Sequence, residues 1–377
     1  MPVSFRKSDL ENTEPRICHS GKLGSAEWTI DEDGLLVIGE GTVNTDELPP
    51  SRHEDEDTSD RWPWYPWRKE IDRVDGSAPL KVIGDLSYAF GGAERATVSK
   101  RGIYTSIESI DLSGWDTSEV TSMRSLFFDC SGMTELNIDG FQTGNVRDMA
   151  NMFNGCYSLH ELNVQSFDTR SVEDMSGMFT SCYLLESLDV SGFDTSNVRN
   201  MESMFAFCHR LDGLDVSHFD TSKCEDMGFM FSGDRALQSL DLSGFDTRHV
   251  TNMDFMFSEC SSIQSLNLES FDTANALSLF KMFNDAYQLQ RLNITHFQTQ
   301  NARFIQKMFD GCKALSVVGF GSGVQNTLKA FRSRFPKGEW YLNNEGPFAL
   351  LKLPALEEGQ TGWLTRTKQM SDAFKDF

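Results

Sequence analysis

The sequence predicts an α/β repeat solenoid, with short parallel strands on one face, short helices on the other, and β-rich caps at both ends. Three observations carry that expectation: a motif that recurs every 26 residues, apolar columns at helical spacing within each unit, and a two-residue alternation that follows them. A unit of this size cannot bury its own apolar face, so strict repetition means that units stack on one another.

The period comes from an aromatic residue followed by Asp or Gln and then Thr. It falls at Trp115, Phe141, Phe167, Phe193, Phe219, Phe245, Phe271 and Phe297, eight units without one insertion. Three apolar columns accompany it. One is Phe127, Phe153, Phe179, Phe205, Phe231, Phe257, Phe283 and Phe309. A second runs from Met123 to Met253 and then Leu279 and Ile305, and a third is mostly Val, from Val120 to Val250. Within a unit these lie at i, i+3 and i+7, the stripe of a helix of two to three turns facing inward.

After that stripe, segments such as Leu185-Glu-Ser-Leu188-Asp-Val190 read L-x-x-L-x-L, and the last three residues alternate as a short strand does. A turn follows, in which Gly114, Gly140, Gly192 and Gly244 permit a bend and Asp or Thr side chains accept N–H groups at the start of the next helix. The array then occupies 107–322, between an N-terminal β-rich module with a divergent first unit at 1–106 and a C-terminal cap and tail at 323–377.

Leu188-Asp-Val-Ser-Gly-Phe-Asp-Thr-Ser-Asn-Val198, and Met-Phe-x-x-Cys-x-x-Leu at 152–159, resemble the repeat of BspA-like leucine-rich-repeat surface proteins of bacteria. The segment 21–43 resembles the strand-rich module that precedes such repeats. The resemblance implies a leucine-rich-repeat solenoid that binds or adheres without catalysing a reaction, on the cell surface or secreted. The start of the chain has basic residues but no apolar core of a signal peptide, so the sequence by itself predicts a cytoplasmic protein.

In the N-terminal module, Trp28 to Ile38 reads as a hairpin about Asp33-Gly34. The acidic run 53–58 lacks the spacing of a calcium loop and reads as a solvated excursion. It leads into Arg61-Trp62-Pro-Trp64-Tyr65-Pro-Trp67, which is either a stacking platform for a sugar or a seal over the exposed end of the first unit.

The chemistry points away from an enzyme and from bound cofactors or metals. Net charge is −22, which repels phosphate backbones, so nucleic acid is a poor partner. No run of about 18 apolar residues predicts membrane insertion. The sequence has no phosphate loop, dinucleotide fingerprint, zinc-protease motif or nucleophile elbow. Cys130, Cys156, Cys182, Cys208, Cys260 and Cys312 share one repeat position, which Asp234 and Ala286 interrupt. They read as buried, reduced thiols rather than a disulfide framework or a zinc site. The Asp column beginning at Asp116 could line up cations, or could serve its own turns.

Recognition therefore falls to columns that vary. After the cysteine these are Tyr157, Tyr183, His209 and Arg235; before Met-Phe they include Phe229 and Phe255, which either form an exposed apolar patch or pack on a neighbouring helix. These residues, with Trp62, Trp64 and Trp67, are the candidate partner-binding positions. An unknown protein is the first choice of partner and a glycan the second.

Overall fold

The structure is a computed structural model that describes residues 15–51, 59–91, 106–325, 335–336, 338–348 and 354–366. The acidic run 53–58 lies outside the described residues, as do most of the insertion in the first unit and the tail after 366.

Strands β1 (Ile17–Leu23), β2 (Ala26–Asp31) and β3 (Leu35–Ile38) form an antiparallel meander. The β2–β3 turn is the expected one: Asp31 accepts the N–H groups of Asp33 and Leu35, and Gly34 takes φ +75°. Next come β4 (Gly41–Asn44), β5 (Arg73–Asp75), β6 (Leu80–Asp85), β7 (Ser109–Asp111), β8 (Trp115–Ser122) and β9 (Glu135–Asn137). From β3 onward the pairing becomes parallel, through β5 and β7 to β9, while β4, β6 and β8 make a second parallel ladder. At the far end β10 (Ser265–Asn267), β11 (Arg291–Ile294) and β12 (Val317–Gly321) are parallel. Strands β13 (Trp340–Leu342), β14 (Glu345–Phe348) and β15 (Thr361–Thr365) complete that sheet in antiparallel fashion, with β15 set against β12. Antiparallel strands thus flank the parallel ladder at both ends and pair its outermost strand edges.

Between these sheets, parallel bridges link Ser122, Asp148, Asp174, Asn200, Asp226, Asn252, Ser278 and Phe304 in steps of 26 residues. Each unit is one coil, and successive coils are in register.

The expected helices are absent: no residue between 106 and 320 is helical. The stripe Met149 to Cys156 is instead a run of overlapping turns. Met152, Asn154 and Cys156 donate to the carbonyls three residues back, while Met149, Asn151, Phe153 and Gly155 donate to Asp174, Ser176, Met178 and Thr180 of the next coil. A helix would keep all these bonds within the unit; here alternate N–H groups bind the neighbouring coil. This geometry needs two left-handed residues per unit. One column holds Ser125, Asn151, Gly177, Ser203, Phe229, Phe255, Lys281 and Lys307, and the other runs from Asp129 through Phe207 to Gly311, with φ between +53° and +83°. Two such residues in one turn of chain end any helix.

The strand face also departs from expectation. Segments 161–163, 187–189, 213–215 and 239–241 form no ladder, so only the turn side is hydrogen-bonded without interruption. The leucines there are correspondingly less sealed, Leu188 at 7% and Leu214 at 8% exposure against 0% for Leu292.

Inside, the Phe column is one continuous stack, with ring centroids 5.6–5.9 Å apart from Phe127 to Phe309. Phe90 and Trp64 extend it toward the N-terminal end at 6.2 and 5.6 Å. A buried threonine column runs beside it. Thr169 Oγ1 donates to the Asp194 carbonyl and accepts the Asp194 N–H, and Thr143 and Thr221 bond their next coils in the same way. Each hydroxyl is therefore a two-way tie between coils.

Three further columns turn the corners. Asp194, Asp189 and Asp174 each accept the N–H two residues on, from Ser196, Ser191 and Ser176, and their equivalents in other units do likewise. The Asp column thus closes a turn of the main chain, not the start of a helix.

Candidate functional site

The cysteines line the wall. Cys130, Cys156, Cys182, Cys208, Cys224, Cys260 and Cys312 are buried and unbridged, and only Cys18 is exposed. In the repeated column each thiol donates to the carbonyl of the stacked Phe of the preceding coil, 29 residues back from Cys156 onward, as Cys156 does to Phe127 at 3.4 Å, and 40 residues back for Cys130, which reaches Phe90 across the insertion. Burial pushes the Cys182 and Cys312 thiols up to about 12, so neither is poised as a thiolate. Asp234 takes the cysteine position in one coil. It is 1% exposed, one oxygen accepts the Cys208 N–H at 2.8 Å and the other meets no donor, and burial drives its carboxyl well up.

The tryptophan cluster does not form a platform. Trp62 and Trp64 are buried at 2% and 0%, their indole N–H groups donate to Ser87 and Ala89 carbonyls, and their rings stack at 5.4 Å. With Phe90 against Trp64, these rings are the first rungs of the aromatic stack and are withdrawn from solvent. Trp67 is half-buried between His19 and Trp28.

On the variable face the sequence-predicted residues do come together. Tyr157, Tyr183 and His209 stack as parallel plates, with centroids 4.7 Å apart at each step and interplanar angles of 6° and 3°. The spacing is that of successive coils. Phe207 meets His209 edge-on at 6.2 Å. Burial, with the Arg235 charge beside it, lowers the His209 pKa, which favours the neutral ring. Arg235 continues the column and pairs with Glu259 at 2.9 Å.

Phe229 and Phe255 neither project freely nor pack on helix stems. They are half-buried and lie on each other, 4.4 Å apart. Phe280 meets Phe255 edge-on at 5.3 Å, and the Lys281 ammonium sits 5.0 Å from the Phe255 ring. Both rings stand on left-handed backbone, which costs an L-residue roughly 1–2 kcal/mol. Other coils place Gly177 and Asn151 at this position, types that adopt it readily. Lys281 stands in the same column before Met-Phe as Phe229 and Phe255, whereas Phe207 and Phe280 were not picked out with this group from the sequence. Their signal lies in the same left-handed turns, which a helical reading hides.

Charge varies along the same face. Asp148, Asp174, Glu202, Asp226 and Asp254 lie on the coils up to and including that of Phe255. Burial raises the Asp148, Glu202 and Asp226 carboxyls, and neighbouring carboxylates raise them further. Arg124 reaches Asp148 and Asp174 at 3.6 and 4.0 Å. Beyond Phe255 come Lys281, Arg303, Lys307 and Lys313. Among the described residues no group of three His, Cys, Asp or Glu has the geometry to hold a metal ion, and no helix is long and apolar enough to cross a membrane.

A wall of repeated residues that carries a face of changing ones defines a repeat protein with parallel ladders. The chain belongs to the family described as Mycoplasma protein of unknown function, DUF285, which matches residues 85–213 and 199–319. No curated protein matches it. Among solved structures it is similar to a leucine-rich cell surface protein from Faecalibacterium prausnitzii, at 14% identity over 80% of this chain and 95% of that one, TM-score 0.24. It is also similar to a leucine-rich repeat protein from Eubacterium ventriosum, at 16% identity over 81% and 93%, TM-score 0.27. A third likeness is to the TLR13–ssRNA13 complex, at 14% identity over 70% and 45%, TM-score 0.23.

Proposed function

We propose that this chain is a non-enzymatic leucine-rich-repeat solenoid that binds a protein partner through its variable turn columns, as an adhesion or interaction scaffold. The observation that carries the reading is the plate stack Tyr157–Tyr183–His209, with Arg235 beyond it. The wall beneath Tyr157, Tyr183 and His209 repeats the same Phe and Cys residues, so these side chains are not needed to close it, yet they are held parallel at 4.7 Å. Aromatic and Arg side chains fixed in advance lose little freedom on binding, and they dominate protein interfaces. The resemblance to BspA-like surface proteins supports the same reading. Burial of Trp62 and Trp64 removes the platform on which sugar binding would rest.

The test is affinity capture from the native host with the wild-type chain and with a Tyr157→Ala/Tyr183→Ala variant. A specific protein retained by the first and released at least tenfold more easily by the second is the expected result. Equal retention by both, with the variant folded, refutes the assignment.

A further inference from the structure

We propose that two copies of this chain pair through the turn face about a two-fold axis, with Phe229 of one copy against Phe255 of the other. The inference rests on the reading of the variable columns as an interaction surface, and it names one occupant for part of that surface.

Phe229 and Phe255 keep large aromatic rings at left-handed positions where Asn151 and Gly177 serve other coils. Neither ring belongs to the buried Phe stack; they stack only on each other, with Phe280 and Lys281 at their edge. Leu277 and Phe304, on the next two coils, are 44% and 57% exposed. A conformational cost retained at half-buried aromatic residues points to something that covers them.

The charges identify the cover. A two-fold axis between the coils of Phe229 and Phe255 sets the coil of Lys281 against that of Ser203, and the coil of Lys307 against that of Gly177. Lys281 then meets Glu202, a half-buried carboxyl with the charges of Asp174 and Asp226 near it. Lys307 meets the coil that carries Asp174. The outer coils of the face are complementary to each other in this register, as a two-fold interface requires, while Asp226 and Asp254 stand on the two central coils beside the aromatic pair. Elsewhere a net charge of −22 opposes the approach of a second copy, so the register is selected by repulsion as well as by attraction.

The experiment is sedimentation velocity on the full chain from about 1 to 200 µM at low salt, a range suited to a modest interface. A monomer–dimer equilibrium is expected for the wild type. Phe255→Asn is expected to weaken it at least tenfold, while melting within a few degrees of the wild type when both are dilute enough to be monomeric. Lys281→Glu is expected to weaken it similarly, and adding Glu202→Lys to the same chain to restore it. A wild-type monomer throughout the range overturns the proposal, as does a dimer indifferent to both single variants. Failure of the double variant to recover overturns the register. In each of these cases, capture of a host protein lost on Tyr157→Ala/Tyr183→Ala would leave the binding-scaffold reading standing.

Discussion

Replacing Phe205 with Ala removes one plate from the middle of the aromatic stack. The ring is fully buried, lies 5.7 Å from Phe179 and 5.9 Å from Phe231, and has Phe219 at 6.5 Å on its flank. Its neighbours cannot slide together to fill the gap, because coil spacing is fixed by the main-chain bonds Phe179 N to the Met204 carbonyl and Phe205 N to the Met230 carbonyl. The loss is therefore close to the full transfer and cavity cost, about 4 kcal/mol, with the stacking contribution included. At an m-value of about 3 kcal/mol/M this moves the urea midpoint down by more than about 1 M. Trp62 and Trp64 report on one end of the stack and Trp340 on the other, so fluorescence and circular dichroism together show whether the weakened middle lets the two ends unfold separately. A midpoint within about 0.2 M of the wild type would place Phe205 outside a packed wall and refute the stack as the source of cohesion.

Thr221→Val leaves the Asp246 carbonyl and N–H without the hydroxyl that now serves both, at 3.0 and 2.8 Å, and is expected to cost about 2 kcal/mol by urea denaturation; a neutral result would remove the threonine column from the account of cohesion. Thiol titration of the native protein is expected to find Cys18 at once and the other seven only on unfolding, with all eight recovered in denaturant; a shortfall there means disulfides that the wall does not contain. Asp234 has its folded pKa raised above the unfolded value near 3.8, so the stability it allows is fully present below that value and is lost as pH rises through the folded pKa. Asp234→Asn should therefore match the wild type below about pH 4 and gain on it progressively above; melting curves that stay parallel across pH would show that the carboxyl is not held neutral.

The repeat, its phase and the identity of its wall were legible because each follows from which residues recur. The local conformation of the wall was not. Residues at i, i+3 and i+7 satisfy a helix, and they equally satisfy a coil of overlapping turns whose inward positions fall at the same intervals. The discriminating signal was the pair of columns just before Met-Phe and just before Cys. Gly177, Asn151 and Ser203 at one, with Gly155, Gly233 and Gly311 at the other, are frequent in left-handed turns. Phe229, Phe255, Lys281 and Glu259 in the same columns mask that signal, since they carry no such preference. The tryptophans show the complementary difficulty. Trp64 lies one period before Phe90, which places it in the Phe column, but the insertion between Phe90 and Trp115 breaks the phase that would have revealed it.

The turn architecture also explains how the face can vary while the wall does not. In a helix, a surface residue shares its hydrogen-bonding frame with the residues three and four positions away, and a change at one is felt by the others. Here, along the stretch from Met149 to Gly155, every second N–H is committed to the next coil, and the left-handed residues Asn151 and Gly155 are among those donors. A side chain at such a position is set mainly by its own backbone preference and by the same column one coil away, as Phe229 and Phe255 are. Successive substitutions along a column can then build a ladder, of plates at Tyr157–Tyr183–His209 or of apolar rings at Phe229–Phe255, at the spacing that the wall imposes. The residues that close the coil thus set the geometry of recognition without taking part in it.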